Sequence, residues 1–413
     1  MELADAASHG RSLKDVRGIF YRDESRIRST GKREFADVNS IPMPARHLLP
    51  LGRYRALGMP VSMTTSRGCP FKCIFCVGRK MTGSRLRLRD PVLVVDELEY
   101  LASLDFHQVN IADDLFTARK KHCLAVCDEI ERRKLEVKWT AFARVDTLSP
   151  EILSAMKSAG CLAVSFGVES GNAGILEKIN KKITTDQVVE AVKMCGKAGI
   201  TPHASFILGL PGETPDTLKE TIDFGRKIKD LGASHGFHLL APFPGTRVRE
   251  EKDRYEIKIL TDDWSEYHAN RAVVETPFVK KKRLDEIIVD WEAKFDEWLG
   301  KIKARRETGE ADEKEAWPLS RLEHTVLIYE MMMKNILEKR GSWPVEKGSL
   351  LKKDDLLKTL EKKIRPHVDA KDDQLQKTLE FATDLGCLEF CRENGFVKWK
   401  WGEQEHSAEK QKN

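Results

Sequence analysis

Between residues 61 and 243, short apolar runs alternate with longer amphipathic stretches, and this alternation limits the fold more than any other feature of the chain. Strands are expected at 61–65, 108–112, 138–143, 162–167, 202–208 and 235–240, and helices at 91–104, 119–134, 150–159, 184–197 and 215–231. The helix ends carry punctuation. Ser149-Pro150 sets an N-cap before a first-turn proline, and Gly160 and Gly199 follow the last turns of two others. Six strands separated by five helices require a parallel sheet with right-handed crossovers. The expected class is α/β, an open or partial (β/α)6 barrel with ligands at the carboxyl ends of its strands.

The flanks read differently. Residues 1–60 form a connector of loop and short strands, with a small hairpin from 16–22 and 26–33 and an extended stretch at 41–45 set by its prolines. The barrel occupies 61–250, and 251–345 is a helical extension in which Leu284, Ile288, Trp291, Phe295 and Trp298 repeat at helical spacing. Residues 322–337 repeat the pattern. In the final module, 346–413, Asn394-Gly395 is a strong hairpin turn that pairs Glu393 with Phe396 and Phe390 with Trp399. That register puts Leu388, Phe390, Val397, Trp399 and Trp401 on one face, and Cys387, Glu389, Cys391, Lys398 and Lys400 on the other. Two helices followed by a hairpin resemble a winged-helix module, suited to packing, partner docking or nucleic acid.

Composition narrows the class. Lys and Arg number 70 against 65 Asp and Glu, an excess too small to imply wholesale nucleic-acid binding. No apolar run reaches the length of a membrane helix, and the first fifteen residues lack a signal-peptide layout. A cytosolic protein is expected, in which nine cysteines point to metal ligation or buried thiols before disulfides.

Chemistry concentrates in the loop after the first strand, Ser66-Arg-Gly-Cys69-Pro-Phe-Lys-Cys73-Ile-Phe-Cys76. Three thiolates at C-x3-C-x2-C spacing can converge on one inorganic centre. A structural zinc wants a fourth protein ligand, and the loop holds neither a histidine nor a further cysteine. An electron-transfer [4Fe–4S] cluster normally takes four cysteines as well. Three leave one iron open to a substrate or cofactor.

With Phe75 before its last cysteine, this loop resembles the C-x3-C-x-aromatic-C signature of the radical S-adenosylmethionine (SAM) superfamily. The resemblance implies a radical SAM barrel in which Cys69, Cys73 and Cys76 hold a [4Fe–4S] cluster, SAM chelates the open iron, and reductive cleavage of SAM begins radical chemistry. It extends along the chain. Ser165-Phe-Gly-Val-Glu169-Ser-Gly171 is similar to the ribose-side motif, which places Glu169 at the SAM amino group or ribose. Asn180-Lys181-Lys182 resembles the basic segment at the carboxylate end, with Lys181 the better match and Arg144 a second candidate. Gly209, in Ile207-Leu-Gly-Leu-Pro-Gly212, matches the adenine-side motif, with Ser205 where the family has its first glycine. Asp113-Asp114, after the second strand, either faces the cavity or caps the next helix. Cys123 and Cys127 suit helix packing, and Cys161 and Cys195 the core. The resemblance also implies a one-electron donor such as a flavodoxin or ferredoxin.

Within the superfamily, Gly18-Ile-Phe-Tyr-Arg22 and Ile41-Pro-Met-Pro-Ala-Arg46 resemble the connector of the cobalamin-binding class, which includes methyltransferases and ring-forming cyclases. The one near match to that class's D-x-H-x-x-G motif, Asp105-Phe-His107-Gln-Val-Asn110, ends in Asn and falls within the barrel pattern. Cobalamin binding by this chain is therefore doubtful: the cobalamin module is a separate partner, or the chain is a truncated or cobalamin-free variant. Two readings from other classes stand beside this one, a non-enzymatic zinc or iron–sulfur protein and a nucleic-acid modifying factor that docks through the C-terminal module.

Overall fold

A computed structural model of the chain describes residues 2–106, 108–346, 350–370 and 372–402. The chain divides into two compact units, Met1–Pro42 and Met43–Asn413. The smaller holds a helix, Glu2–Ser8, and the expected hairpin, in which Phe20–Asp23 pairs antiparallel with Arg26–Ser29.

The larger unit contains the sheet. Its strands are β1 (Val61–Met63), β2 (Gln108–Ile111), β3 (Lys138–Ala143), β4 (Cys161–Glu169), β5 (Thr201–Leu208) and β6 (Ser234–Leu239). Each is parallel to its neighbours in chain order, giving an open, partial barrel. The connecting helices are α1 (Pro91–Ser103), α2 (Lys120–Arg132), α3 (Pro150–Ser158), α4 (Ala173–Lys178), α5 (Thr185–Ala198) and α6 (Pro215–Asp230). The punctuation acts as read: the Ser149 hydroxyl accepts from the Ile152 N–H, and Gly199 ends α5 at φ 68°. Short α4 was not expected. It starts at Asn172, whose side chain accepts from the Ile175 N–H.

The strand faces differ. Trp139, Phe166 and Phe206 are fully buried beneath the helices, and each such side chain contributes roughly 1.5–3 kcal/mol on burial. Trp139 also meets Phe116 edge-to-face at 5.4 Å and donates its indole N–H to the Ala159 carbonyl at 2.7 Å. The alternate residues face the barrel interior.

Beyond the barrel lie α7 (Lys281–Glu307), α8 (Glu313–Met333) and α9 (Ile336–Arg340). Leu284 and Ile288 are buried against the barrel, whereas Phe295 and Trp298 are about half exposed, with their rings 5.6 Å apart. The C-terminal region follows as β7 (Ser342–Pro344), α10 (Lys353–Ile364), α11 (Asp372–Asp384), β8 (Leu388–Glu393) and β9 (Phe396–Trp401), with sheet order β7-β9-β8. That is a winged-helix arrangement. The hairpin register matches the expected one at every pair. Cys387 does not sit on the polar face. It precedes β8, is buried in the C-terminal core, and its thiol donates to the Leu385 carbonyl.

That second core includes Leu327, Ile336, Trp343, Leu360 and Trp399, together with Ala56 from the short helix Leu51–Ala56. Two neighbours of Ala56 join that helix to the module. The Arg55 guanidinium binds Asp105 at 2.6 Å and the Gly402 carbonyl at 3.0 Å, while a Cβ on Gly52 would lie 2.0 Å from the Gly402 oxygen. Among the described residues, no helix is long and apolar enough to cross a membrane. His107, within the near match to the cobalamin motif, and residues 403–413 of the C-terminal module lie outside the described residues.

Candidate active site at the mouth of the barrel

The cysteine loop follows β1 and is tied down from distant parts of the chain. Ile74, at its centre, is buried; its N–H donates to the Ile179 carbonyl at 3.1 Å, and its carbonyl accepts from the Val248 N–H at 3.1 Å. The Asn180 side chain donates to the Lys72 carbonyl at 2.8 Å. Gly68 turns the chain at φ 107°, and a Cβ there would lie 2.3 Å from the Arg85 oxygen, so only glycine fits before Cys69. Cys69 and Cys73 are half-buried and Cys76 is exposed.

Asp113 and Asp114 do not cap the following helix. The buried Asp113 carboxylate accepts the N–H and hydroxyl of both Thr65 and Ser66, at 2.6–3.0 Å. Asp114 accepts from the Gly68 N–H at 3.0 Å and the Thr82 hydroxyl at 2.7 Å, joining the two ends of the cysteine loop. Burial pushes the Asp113 carboxyl up, while its four hydrogen bonds pull it down. Together these acids fix the loop to the end of β2.

Burial raises the Cys69 and Cys73 thiols, but Arg144 opposes this at both, and Lys181 opposes it at Cys73. Two cations near the thiols favour the thiolate form that binds metal. Among the described residues, no three His, Cys, Asp or Glu side chains converge as a single zinc ion needs. A cubane takes each thiolate on a different iron, which three cysteines carried by one loop suit.

The residues expected on the SAM side come together. Lys181 Nζ donates to Glu169 Oε1 at 2.7 Å, and both side chains are buried. Glu169 adopts φ 73° where the β4–β5 register shifts, a strained position that carries its carboxylate to Lys181. A Cβ on Gly167 would lie 2.0 Å from that carboxylate. Lys181 Nζ stands 5.9 Å from the centre of the Phe75 ring. Arg144 is held by Asp146 at 2.9 and 3.0 Å and by the Lys181 carbonyl at 2.9 Å, and its guanidinium lies 3.7 Å from the Phe71 ring centroid.

The backbone N–H of Gly209, the residue matched to the adenine-side motif, is already bonded within the chain. It donates to Glu213 Oε2 at 2.6 Å, and Leu210 N–H donates to the same oxygen at 3.0 Å. Glu213 is fully buried with no hydrogen-bond partner at Oε1, and burial pushes its carboxyl up to about 8 despite the two backbone donors. Between pH 4.5 and 8 the folded chain keeps a proton that the unfolded chain has lost. Glu213 therefore lowers stability by up to about 1.4 kcal/mol per pH unit as pH rises through that window, with no further loss above it. Denaturation at pH 5 and pH 7.5 checks this: the wild type is expected to lose stability relative to Glu213→Gln at the higher pH.

The inner face of the barrel carries polar groups to which no motif assigns a role. Gly225 of α6 packs against His235 and Phe237, so the alternate residues of β6 point inward, and His238 is among them with a buried Nδ1 that has no hydrogen-bond partner. Ser205 and Ile207 of β5 share that face, and Thr140 donates to Asn110 on it at 3.0 Å. Strand alternation was the available signal, since period-2 reading from the buried positions singles out these residues.

Residues 63–225, from β1 to α6, match the family model of the Radical SAM superfamily. The barrel is a radical SAM domain. The chain is 35% identical over 290 residues to an uncharacterized methyltransferase of Pyrococcus horikoshii, covering 70% of this chain and 62% of that one. It is 30% identical over 318 residues to the anaerobic magnesium-protoporphyrin IX monomethyl ester cyclase of Rubrivivax gelatinosus, covering 68% and 57%. The chain thus spans about six-tenths of the length of these curated relatives. Among solved structures, the cobalamin-dependent SAM radical enzyme OxsB superposes with a TM-score of 0.60 at 18% identity, over 93% of this chain and 66% of that one. The radical SAM methyltransferase TsrM of Kitasatospora setae gives 0.54 at 22% identity, over 69% and 59%. Both structures share the radical SAM fold, and the OxsB match runs on into the helical and winged-helix regions.

Proposed function

We propose that the protein is a radical SAM enzyme in which Cys69, Cys73 and Cys76 hold a [4Fe–4S] cluster and SAM binds beside Phe75, Arg144, Glu169, Lys181 and Gly209. When bound, the two cofactors supply reductive cleavage of a sulfonium bond, which starts methyl transfer, cyclisation or a related radical reaction. The observation that carries this reading is the placement of three thiols in one anchored loop next to a buried Lys181–Glu169 pair.

The chain's own groups bind and orient. Lys181 and Nη1 of Arg144, whose Nε and Nη2 are held by Asp146 and the Lys181 carbonyl, take the SAM carboxylate, and Glu169 takes the amino group or ribose, exchanging its bond to Lys181 for bonds to the cofactor. Gly209 leaves room at the adenine, its N–H already spent on Glu213. The substrate lies against the inner face, where the unpartnered Nδ1 of His238 offers a hydrogen bond. In this reading the barrel at 61–250 performs the chemistry and 346–413 docks a partner. A one-electron donor acts on the protein in the cytosol, and a separate cobalamin-binding protein is a candidate partner if the reaction uses cobalamin. A nucleic-acid role for the winged module has little support: α11 carries Asp372, Asp373, Glu380 and Asp384 against one lysine.

Anaerobically reconstituted protein given SAM and a reductant is expected to release 5′-deoxyadenosine, read by chromatography. Protein that binds one zinc and no sulfide, and leaves SAM intact, would point to the non-enzymatic reading.

A further inference from the structure

The cysteine loop itself is rich in cations and poor in acids. From Ser66 to Arg89 there are seven Lys and Arg and no Asp or Glu, in a chain that is otherwise nearly balanced, and of these Arg89 is bound to the buried Glu97. Arg67, Lys72, Lys80 and Arg85 are exposed, as is Lys182 on the neighbouring segment after α4. The antiparallel pair Ser66–Arg67 and Arg87–Leu88 sets Arg67 opposite Arg87, a like-charge pairing that intramolecular stability does not favour. Lys80 lies against Gly245, so the rim continues towards the loop after β6. Two exposed acids border the rim against these five exposed cations: Asp114, which accepts from Gly68 and Thr82, and Glu250, which accepts from the Gly245 N–H. Amid these cations Met81 is 68% exposed, an apolar anchor of the kind enriched at protein interfaces. Cys76, four residues before Lys80, is the most exposed of the three cysteines.

Resting on the cluster reading above, we infer that this basic rim is the docking surface for an acidic one-electron carrier protein. The donor loses one electron and the cluster gains one; no bond is made or broken in that step. Complementary charge raises the encounter rate and orients the carrier over the exposed edge of the loop. The exposed Met81 favours a protein over a nucleic acid, whose backbone offers it nothing apolar.

The test is stopped-flow reduction of the reconstituted full chain by a reduced acidic flavodoxin, set against reduction by dithionite. Wild type is expected to reduce more slowly with flavodoxin as salt rises. The triple variant Arg67→Glu, Lys80→Glu, Arg85→Glu is expected to lose at least about tenfold in the flavodoxin rate at low salt and to lose its salt dependence. Its iron content and dithionite rate should match wild type, and the corresponding triple Gln variant should fall between the two. Equal flavodoxin rates in wild type and both variants would overturn the proposal, as would unchanged rates with loss of tRNA binding, which would assign the rim to nucleic acid. Wild type that binds no cluster at all would instead count against the cysteine assignment.

Discussion

Glu169→Ala is expected to destabilise the protein by about 3–5 kcal/mol and to weaken SAM binding by about tenfold or more. The stability loss comes from Lys181. Its ammonium is buried, and Glu169 is its hydrogen-bonding carboxylate at 2.7 Å. Removing that carboxylate leaves an uncompensated charge in the interior. The double variant Glu169→Leu, Lys181→Met separates the two effects, because replacing both members of a buried pair by apolar groups is often close to neutral. The double variant should regain most of the lost stability in denaturant titrations, yet still fail to bind SAM in anaerobic calorimetry. Recovery of SAM binding along with stability would remove both residues from the SAM site.

The second large effect is far from the thiols. Glu97 on α1 is buried and bridges two guanidinium groups, Arg46 at 2.6 Å and Arg89 at 2.6 Å. Arg46 also donates to the Ser62 carbonyl at the start of the sheet, and Arg89 to the Thr64 carbonyl at 2.6 Å just before the cysteine loop. Glu97→Ala leaves two cations facing each other without their carboxylate, at a cost of about 3–5 kcal/mol, or a fall of about 10 °C in the thermal midpoint. Arg89 is only partly buried, so Arg89→Met should cost less than Arg46→Met. Thermal scans of the three variants check the order; equal midpoints would contradict it.

What the amino-acid order disclosed was what depends on local pattern. The strands of the barrel were readable to within a few residues because each is a short apolar run closed by a cap, a proline or a glycine. The β8–β9 register followed from Asn394-Gly395 alone. What stayed hidden depends on residues distant in sequence but close in space. Asp113 and Asp114 looked like cap or cavity residues, because nothing local says that Thr65, Ser66 and Gly68 lie across from them. Glu169 and Lys181 were each read as facing a cofactor, and their mutual bond depends on the turn through α4, which is too short to show a helical period. Gly209 was matched to the adenine-side motif, but the motif does not show that Glu213 folds back to take its N–H. Phe295 and Trp298 kept helical spacing past the point where α7 leaves the core.

The most direct measurement is iron, acid-labile sulfide and electron paramagnetic resonance on wild type and Cys73→Ala, both reconstituted without oxygen. Wild type is expected to hold about four irons and four sulfides and to show a reducible signal that SAM perturbs, and the variant to lose that signal. A variant that keeps both signal and SAM response would contradict the cysteine assignment, because no open-cornered cluster could then be resting on these three sulfurs.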